Sequence, residues 1–176
     1  MLGVECLVTG YLEENCYIVN IEKKALIVDP GDDEEKILKL IKDKDYEIVG
    51  ILITHHHFDH VGALDRMIKE FPNAKLVDYK SKDDVIIEPF HFKIIETQGH
   101  TMDSVSFYFD SFDVLFTGDF VFRGTIGNFP DDTEDEMIKS LKVFKYIPRE
   151  VTVYPGHGLS TTVGDELDNN PFLKGI

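Results

Sequence analysis

Apolar positions along this chain switch between two periods, and the switches mark its elements. Cys16-Tyr17-Ile18-Val19-Asn20 and Ala25-Leu26-Ile27-Val28 are β-branched or apolar runs split by the polar Glu22-Lys23-Lys24, which predicts a hairpin. It ends in the turn Asp29-Pro30-Gly31. From Glu34 to Lys42 the spacing becomes helical, with Ile37, Leu38, Leu40 and Ile41 recurring and Asp32 or Asp33 placed to cap the first turn. Ile48-Val49-Gly50-Ile51-Leu52-Ile53 is an uninterrupted apolar run that predicts a buried strand, and a helix over Ala63 to Glu70 follows, stopped near Pro72.

The second half repeats this order. Strands are predicted at Val105 to Phe109 and Val114 to Phe116, then Thr117-Gly118-Asp119 at a strand end, a loop, and a helix from Thr133 to Lys145. Val151-Thr152-Val153-Tyr154 is a strand running into Pro155-Gly156-His157-Gly158. Between the halves lie short strands around Leu76, at Val85 to Ile87 and at Phe90 to Thr97, the last leading into Gln98-Gly99-His100. The shared plan of hairpin, strand-end aspartate, loop, helix, strand and histidine loop suggests an internal duplication. Strands and helices in this order predict an α/β fold of two sheets packed together, with helices on the outer faces.

Composition narrows the picture. With 176 residues, 43% of them hydrophobic, the chain is long enough for one domain spanning 1-176, and no linker or low-complexity tract divides it. The formal net charge of −15 sets a field that repels phosphate backbones and anionic headgroups, so neither nucleic acid nor a membrane surface is an expected partner. Cys6 and Cys16 form no Cys-x-x-Cys pair, which excludes a zinc finger, and both are expected as small core residues. No apolar run approaches the roughly 18 residues a membrane span needs. Glu5, Glu13 and Glu14 stand where a secretory leader would carry basic residues, so a cytoplasmic location is expected.

The chemistry concentrates at four predicted strand ends. Thr54-His55-His56-His57-Phe58-Asp59-His60 is the first, followed by His100, Asp119 and His157, and His55, His57, His60, His100 and His157 are five of the seven histidines. Imidazole and carboxylate without thiolate form the donor set of a catalytic rather than a closed structural metal site. His55 and His57 lie two apart on an extended segment, so both side chains point the same way and can grip one ion. Asp59 and His60 are adjacent where the chain turns into a helix; their side chains diverge and can address a second position. His56 points away from its neighbours and His91 sits in a predicted strand without a motif, so neither is expected to ligate. Buried imidazoles and carboxylates crowded together without a cation carry a heavy desolvation cost, which makes chance clustering a poor explanation.

His55-x-His57-x-Asp59-His60, then Gly99-His100, Thr117-Gly118-Asp119 and Gly156-His157-Gly158, resembles the motif series of the metallo-β-lactamase superfamily, with Asp29 as its first motif. The resemblance implies a four-layer αβ/βα sandwich with two metals at the edge of both sheets. It places His55, His57 and His100 on one metal and Asp59, His60 and His157 on the other, with Asp119 between them and Asp29 supporting a ligand. Asp59 and Asp119 become the candidate catalytic carboxylates. The cofactors implied are two divalent ions, zinc first, with iron or manganese accepted by the same ligands.

Two such ions roughly 3.5–4 Å apart make hydroxide available at neutral pH and polarise a carbonyl, so no protein nucleophile is required. A thioester suits this chemistry because its thiolate leaves without a strong general acid. Gly118 to Gly127, Pro155 to Gly164 and Asn170-Pro171-Phe172-Leu173 further resemble the short glyoxalase II-like hydrolases, relatives of hydroxyacylglutathione hydrolase. That implies a small-molecule thioester substrate such as S-lactoylglutathione. Two departures bear on the substrate. Only 19 residues follow His157, where glyoxalase II adds a helical domain, and Asn128-Phe129-Pro130 replaces the Arg-Thr-Asp common after Gly127. Arg123 is the remaining cation expected near the site. The alternatives on the same fold are a mononuclear-iron persulfide dioxygenase, against which Asp59, His60 and His157 argue, and a lactonase or β-lactamase.

Overall fold

Continuous apolar runs form strands here because both faces of each sheet are covered. The computed structural model describes residues 1–81 and 83–176. Its first half comprises β1 (Gly3–Thr9), β2 (Glu14–Ile21), β3 (Lys24–Val28), α1 (Glu34–Lys44), β4 (Glu47–Leu52), α2 (Phe58–Val61), α3 (Leu64–Glu70) and β5 (Lys75–Val77). The second half comprises β6 (Asp84–Ile87), β7 (Phe90–Glu96), β8 (Val105–Phe109), β9 (Val114–Gly118), β10 (Val121–Phe122), β11 (Thr125–Ile126), α4 (Glu134–Phe144), β12 (Thr152–Pro155), β13 (Thr161–Thr162) and α5 (Val163–Asn169).

Two large sheets result, one in the order β1-β2-β3-β4-β5 and one in the order β13-β12-β9-β8-β7-β6. Alternation along the strands sends successive side chains to different layers. Tyr17, Val19, Leu26 and Val28 meet Phe92, Phe107, Phe109 and Phe116 between the sheets. Their neighbours Cys16, Ile18, Ala25 and Ile27 face outward, onto Ile37 and Ile41 of α1 and Met67 of α3. Across the molecule, Leu115 and Val153 pack on Met137, Leu141 and Phe144 of α4. The layers therefore run helix, sheet, sheet, helix, as the resemblance implied. No helix among the described residues is long and apolar enough to cross a membrane.

The topology repeats as the sequence suggested. An antiparallel pair, β2 with β3, leads through α1 to β4, parallel to β3. Likewise β8 pairs antiparallel with β9, and α4 leads to β12, parallel to β9. Parallel neighbours end at the same edge, so Asp29 after β3 and the histidine run after β4 leave one sheet together, while Asp119 and His157 leave the other.

Three expectations need correction. Cys16 is in the core, but Cys6 is exposed, because β1 is an edge strand with irregular burial. Asp33 occupies the N-cap of α1 at φ 52° without a capping side-chain bond; its Oδ2 accepts from the Gly10 amide at 3.2 Å instead. The segment after Asp119 is not plain loop but the small hairpin β10-β11.

Candidate metal centre

The two sheets are stitched together where their functional loops meet. The Val105 amide of the second sheet donates to the Thr54 carbonyl, just past β4 of the first, at 2.9 Å, and within the second sheet the Gly156 amide donates to the Gly118 carbonyl at 2.8 Å. Gly118 adopts φ +51°, and a Cβ there would stand 2.3 Å from Thr54 Oγ1. At Gly156 a Cβ would come within 2.3 Å of Asp119 Oδ1 and 2.6 Å of His60 Cε1. Glycine lets the backbone approach the donors this closely.

Donor atoms converge in two sets. His57 Nδ1 lies 3.2 Å from His55 Nε2 and 2.9 Å from His100 Nε2. On the other side, Asp59 Oδ2 lies 3.2 Å from His157 Nε2 and 3.9 Å from His60 Nε2. Asp119 stands between the sets: its Oδ2 is 3.6 Å from both His100 Nε2 and His157 Nε2, and its Oδ1 is 3.2 Å from His60 Nε2. All seven residues expected from the sequence meet at one edge. Asp59 and His60 do not diverge from one another as expected. The first turn of α2 carries both, and their donors join the same set.

Supporting bonds orient these ligands. Asp29, 2% exposed, accepts from the Thr54 amide at 2.7 Å and from Thr54 Oγ1 at 2.6 Å, and its Oδ2 lies 2.9 Å from His60 Nδ1. An imidazole held by a carboxylate on one nitrogen presents the other to a metal. His100 Nδ1 is held similarly, by the Asn128 carbonyl. His56 turns to the surface, where its Nδ1 meets Asp103 Oδ2 at 2.6 Å, and exposed His91 pairs with Asp84. Arg123 sits on the β10-β11 turn, lining a hollow of about 390 Å³ with Phe122, His157 and Leu159. Two buried residues that pattern reading passed over also belong here: Glu14 and Asn15, at the start of β2.

Electrostatics fit a cation. Burial pushes the His55 ring down to about 2, and nearby His60 adds to this. Burial likewise lowers His57, with His100 contributing. For His60 burial opposes the charge, but the Asp119 and Asp29 carboxylates outweigh it and raise the ring well above the usual imidazole range. For Asp119 burial works against the charge, but the neighbouring His60 ring outweighs it and lowers the carboxyl to about 2. His60 Nε2 and Asp119 Oδ1 are buried with no hydrogen-bond partner, although only 3.2 Å apart. Buried polar atoms are normally satisfied, and a divalent cation would satisfy both at once. The nitrogen and oxygen donors suit zinc, iron or manganese.

An α/β sandwich with histidine and aspartate donors at the edge of both sheets defines a metal-dependent hydrolase. The sequence model of the metallo-beta-lactamase superfamily matches residues 9–83 and 72–157, and the chain belongs to that superfamily. Hydroxyacylglutathione hydrolase GloC of Haemophilus influenzae is 29% identical, over 98% of this chain and 99% of that protein. The crystal structure of BLEG-1 B3 metallo-beta-lactamase superposes with a TM-score of 0.92 at 28% identity, covering 99% of this chain and 100% of that one. TTHA1623 in a di-iron-bound form does so at a TM-score of 0.86 and 28% identity, over 96% of this chain and 100% of that one.

Proposed function

We propose that this protein hydrolyses a small acyl thioester of the hydroxyacylglutathione kind at a centre of two divalent ions. The observation that carries the reading is the pair of donor sets sharing Asp119, with His60 Nε2 and Asp119 Oδ1 buried and unpartnered between them. His55, His57 and His100 would hold one ion, Asp59, His60 and His157 the other, and Asp119 would reach both. Ions bound there supply Lewis acidity and lower the pKa of water from 15.7 to about 7. The protein's part is to fix the ligands and shape the mouth. Tyr11 and Phe58, stacked at 6.5 Å, flank the Asp59 side, and Phe122 and Leu159 flank the His157 side. These apolar walls suit the two arms of a thioester.

Arg123 is the one cation lining either hollow among the described residues, and we assign it to a carboxylate on the thiol arm. GloC supports this substrate class, since the likeness extends over 99% of that hydrolase. Likeness to BLEG-1 favours a β-lactam as the second substrate class. The test is a panel of S-lactoylglutathione, simple acyl thioesters, lactones and β-lactams, run beside a metal count on the same sample. Preferred turnover of thioesters is expected. Turnover confined to β-lactams would reverse the order of the two readings, and about one iron per chain with oxygen uptake on persulfide would overturn both.

A further inference from the structure

The strand that begins the first predicted hairpin also grips the loop that carries His157. Asn15, 2% exposed at the start of β2, lies 140 residues from Pro155 in sequence. Its Nδ2 donates to the Pro155 carbonyl at 3.0 Å and to the Gly158 carbonyl at 2.8 Å. Its backbone amide donates to the Gly156 carbonyl at 2.7 Å. Tyr17, two residues on and 3% exposed, donates its hydroxyl to the Pro155 carbonyl at 2.6 Å. Three carbonyls of Pro155–Gly158 are thus held from β2, and an isolated bridge pairs Glu14 with His157.

These bonds are not part of either sheet's ladder. β2 belongs to the first sheet and β12, which ends at Pro155, to the second, so the contacts cross between sheets at the metal edge. Glycines on both sides of His157 would leave this loop many backbone conformations. With its carbonyls fixed, the loop presents His157 Nε2 3.2 Å from Asp59 Oδ2.

We propose that Asn15, backed by Tyr17, is the positioning residue for His157 and so governs closure of the second donor set, Asp59, His60 and His157, on an ion. Asn15 touches neither ion nor substrate in this role. The inference rests on the two-ion reading above, and it separates the ions. The first set, His55, His57 and His100, receives no bond from Asn15 or Tyr17 among the described residues.

The experiment is a zinc titration of the metal-stripped full chain against a chromophoric chelator, for the wild type, Asn15→Ala and Tyr17→Phe. Thermal melting of the stripped proteins runs alongside. Supporting residues around metal ligands typically contribute about 10–100-fold in affinity. Asn15→Ala is expected to weaken the second ion by that much and leave the first within about twofold. Tyr17→Phe, which keeps the ring against Phe116 and Tyr154, should move the second ion alone in the same direction and by less. Wild-type affinities for both ions, or equal weakening of both, would overturn the proposal. Should Asn15→Ala fail to fold, Tyr17→Phe decides by the same criteria. A wild type that takes up one ion would contradict the two-ion reading itself, whereas two ions unaffected by either variant would contradict only the clamp.

Discussion

Glu14 sits against the ligands without belonging to either donor set. It is 1% exposed, accepts from Thr9 Oγ1 at 2.8 Å, and its Oε1 is 3.9 Å from His60 Nδ1. Burial, then the Asp29 charge, pushes its carboxyl up to about 9 from an ordinary 4.5. In the fold it stays neutral, while the unfolded chain ionises above its ordinary value. Stability contributed by the neutral form is therefore complete below the unfolded pKa and is lost as pH rises towards the folded one. In chelated protein, Glu14→Gln removes this loss, so its melting temperature should exceed the wild type's by a margin that widens from pH 5 to pH 8; a constant margin would contradict the assignment. Arg123→Ala should raise KM for S-lactoylglutathione several-fold and leave kcat and uncharged thioesters nearly unchanged, measured by initial rates. A fall in kcat on every substrate would place Arg123 elsewhere in the chemistry. The seven donors could be read from the sequence because five histidines crowd into strand-end loops. Glu14 and Asn15 could not, since a polar pair opening an apolar run looks like any solvated strand start. The carbonyls to which the Asn15 side chain donates lie 140 residues or more away.

Strands and helices with strong periodicity were predicted within a residue or two, among them α4 and β8. β1 and α5, seven residues each, were not predicted, β1 because an edge strand with irregular burial shows no clean alternation; β10, β11 and β13 escaped because two residues are too short to show a period. What holds β10 and β11 is side-chain chemistry. Buried Glu166 accepts from the Gly124 amide at 2.8 Å and from Thr161 Oγ1 at 2.7 Å, and Asn170 Nδ2 donates to the Thr125 carbonyl at 2.9 Å. Such a latch gives Asn170 a place in the fold and keeps the turn bearing Arg123 beside His157. Between the sheets the aromatic contacts are close. Phe116, 1% exposed, meets Tyr17 at 5.2 Å, Tyr154 at 5.3 Å and Phe109 at 5.8 Å between ring centroids. Phe116→Ala should cost about 3–5 kcal/mol in urea unfolding. A loss below about 1 kcal/mol would mean that the layer repacks, as only small or well-relaxed cavities allow.

At the scale of the molecule, the repeated topology is what brings distant residues to one edge. Each half ends two parallel strands at the same side, and packing the sheets face to face sets the loops of one against the loops of the other. The repeat was visible in the order of elements, and so was the presence of two sheets. Which face of each strand turns inward was not, because both faces are apolar and an alternating pattern has nothing to contrast with. The donor edge also explains why neither half would suffice: Asp59 and His60 come from one, His100, Asp119 and His157 from the other. The most direct test is thioester hydrolysis followed while zinc is added stepwise to metal-stripped protein. A two-ion centre is expected to reach its full rate as the second equivalent enters and to stay flat beyond it; a rate already complete at one equivalent would contradict it.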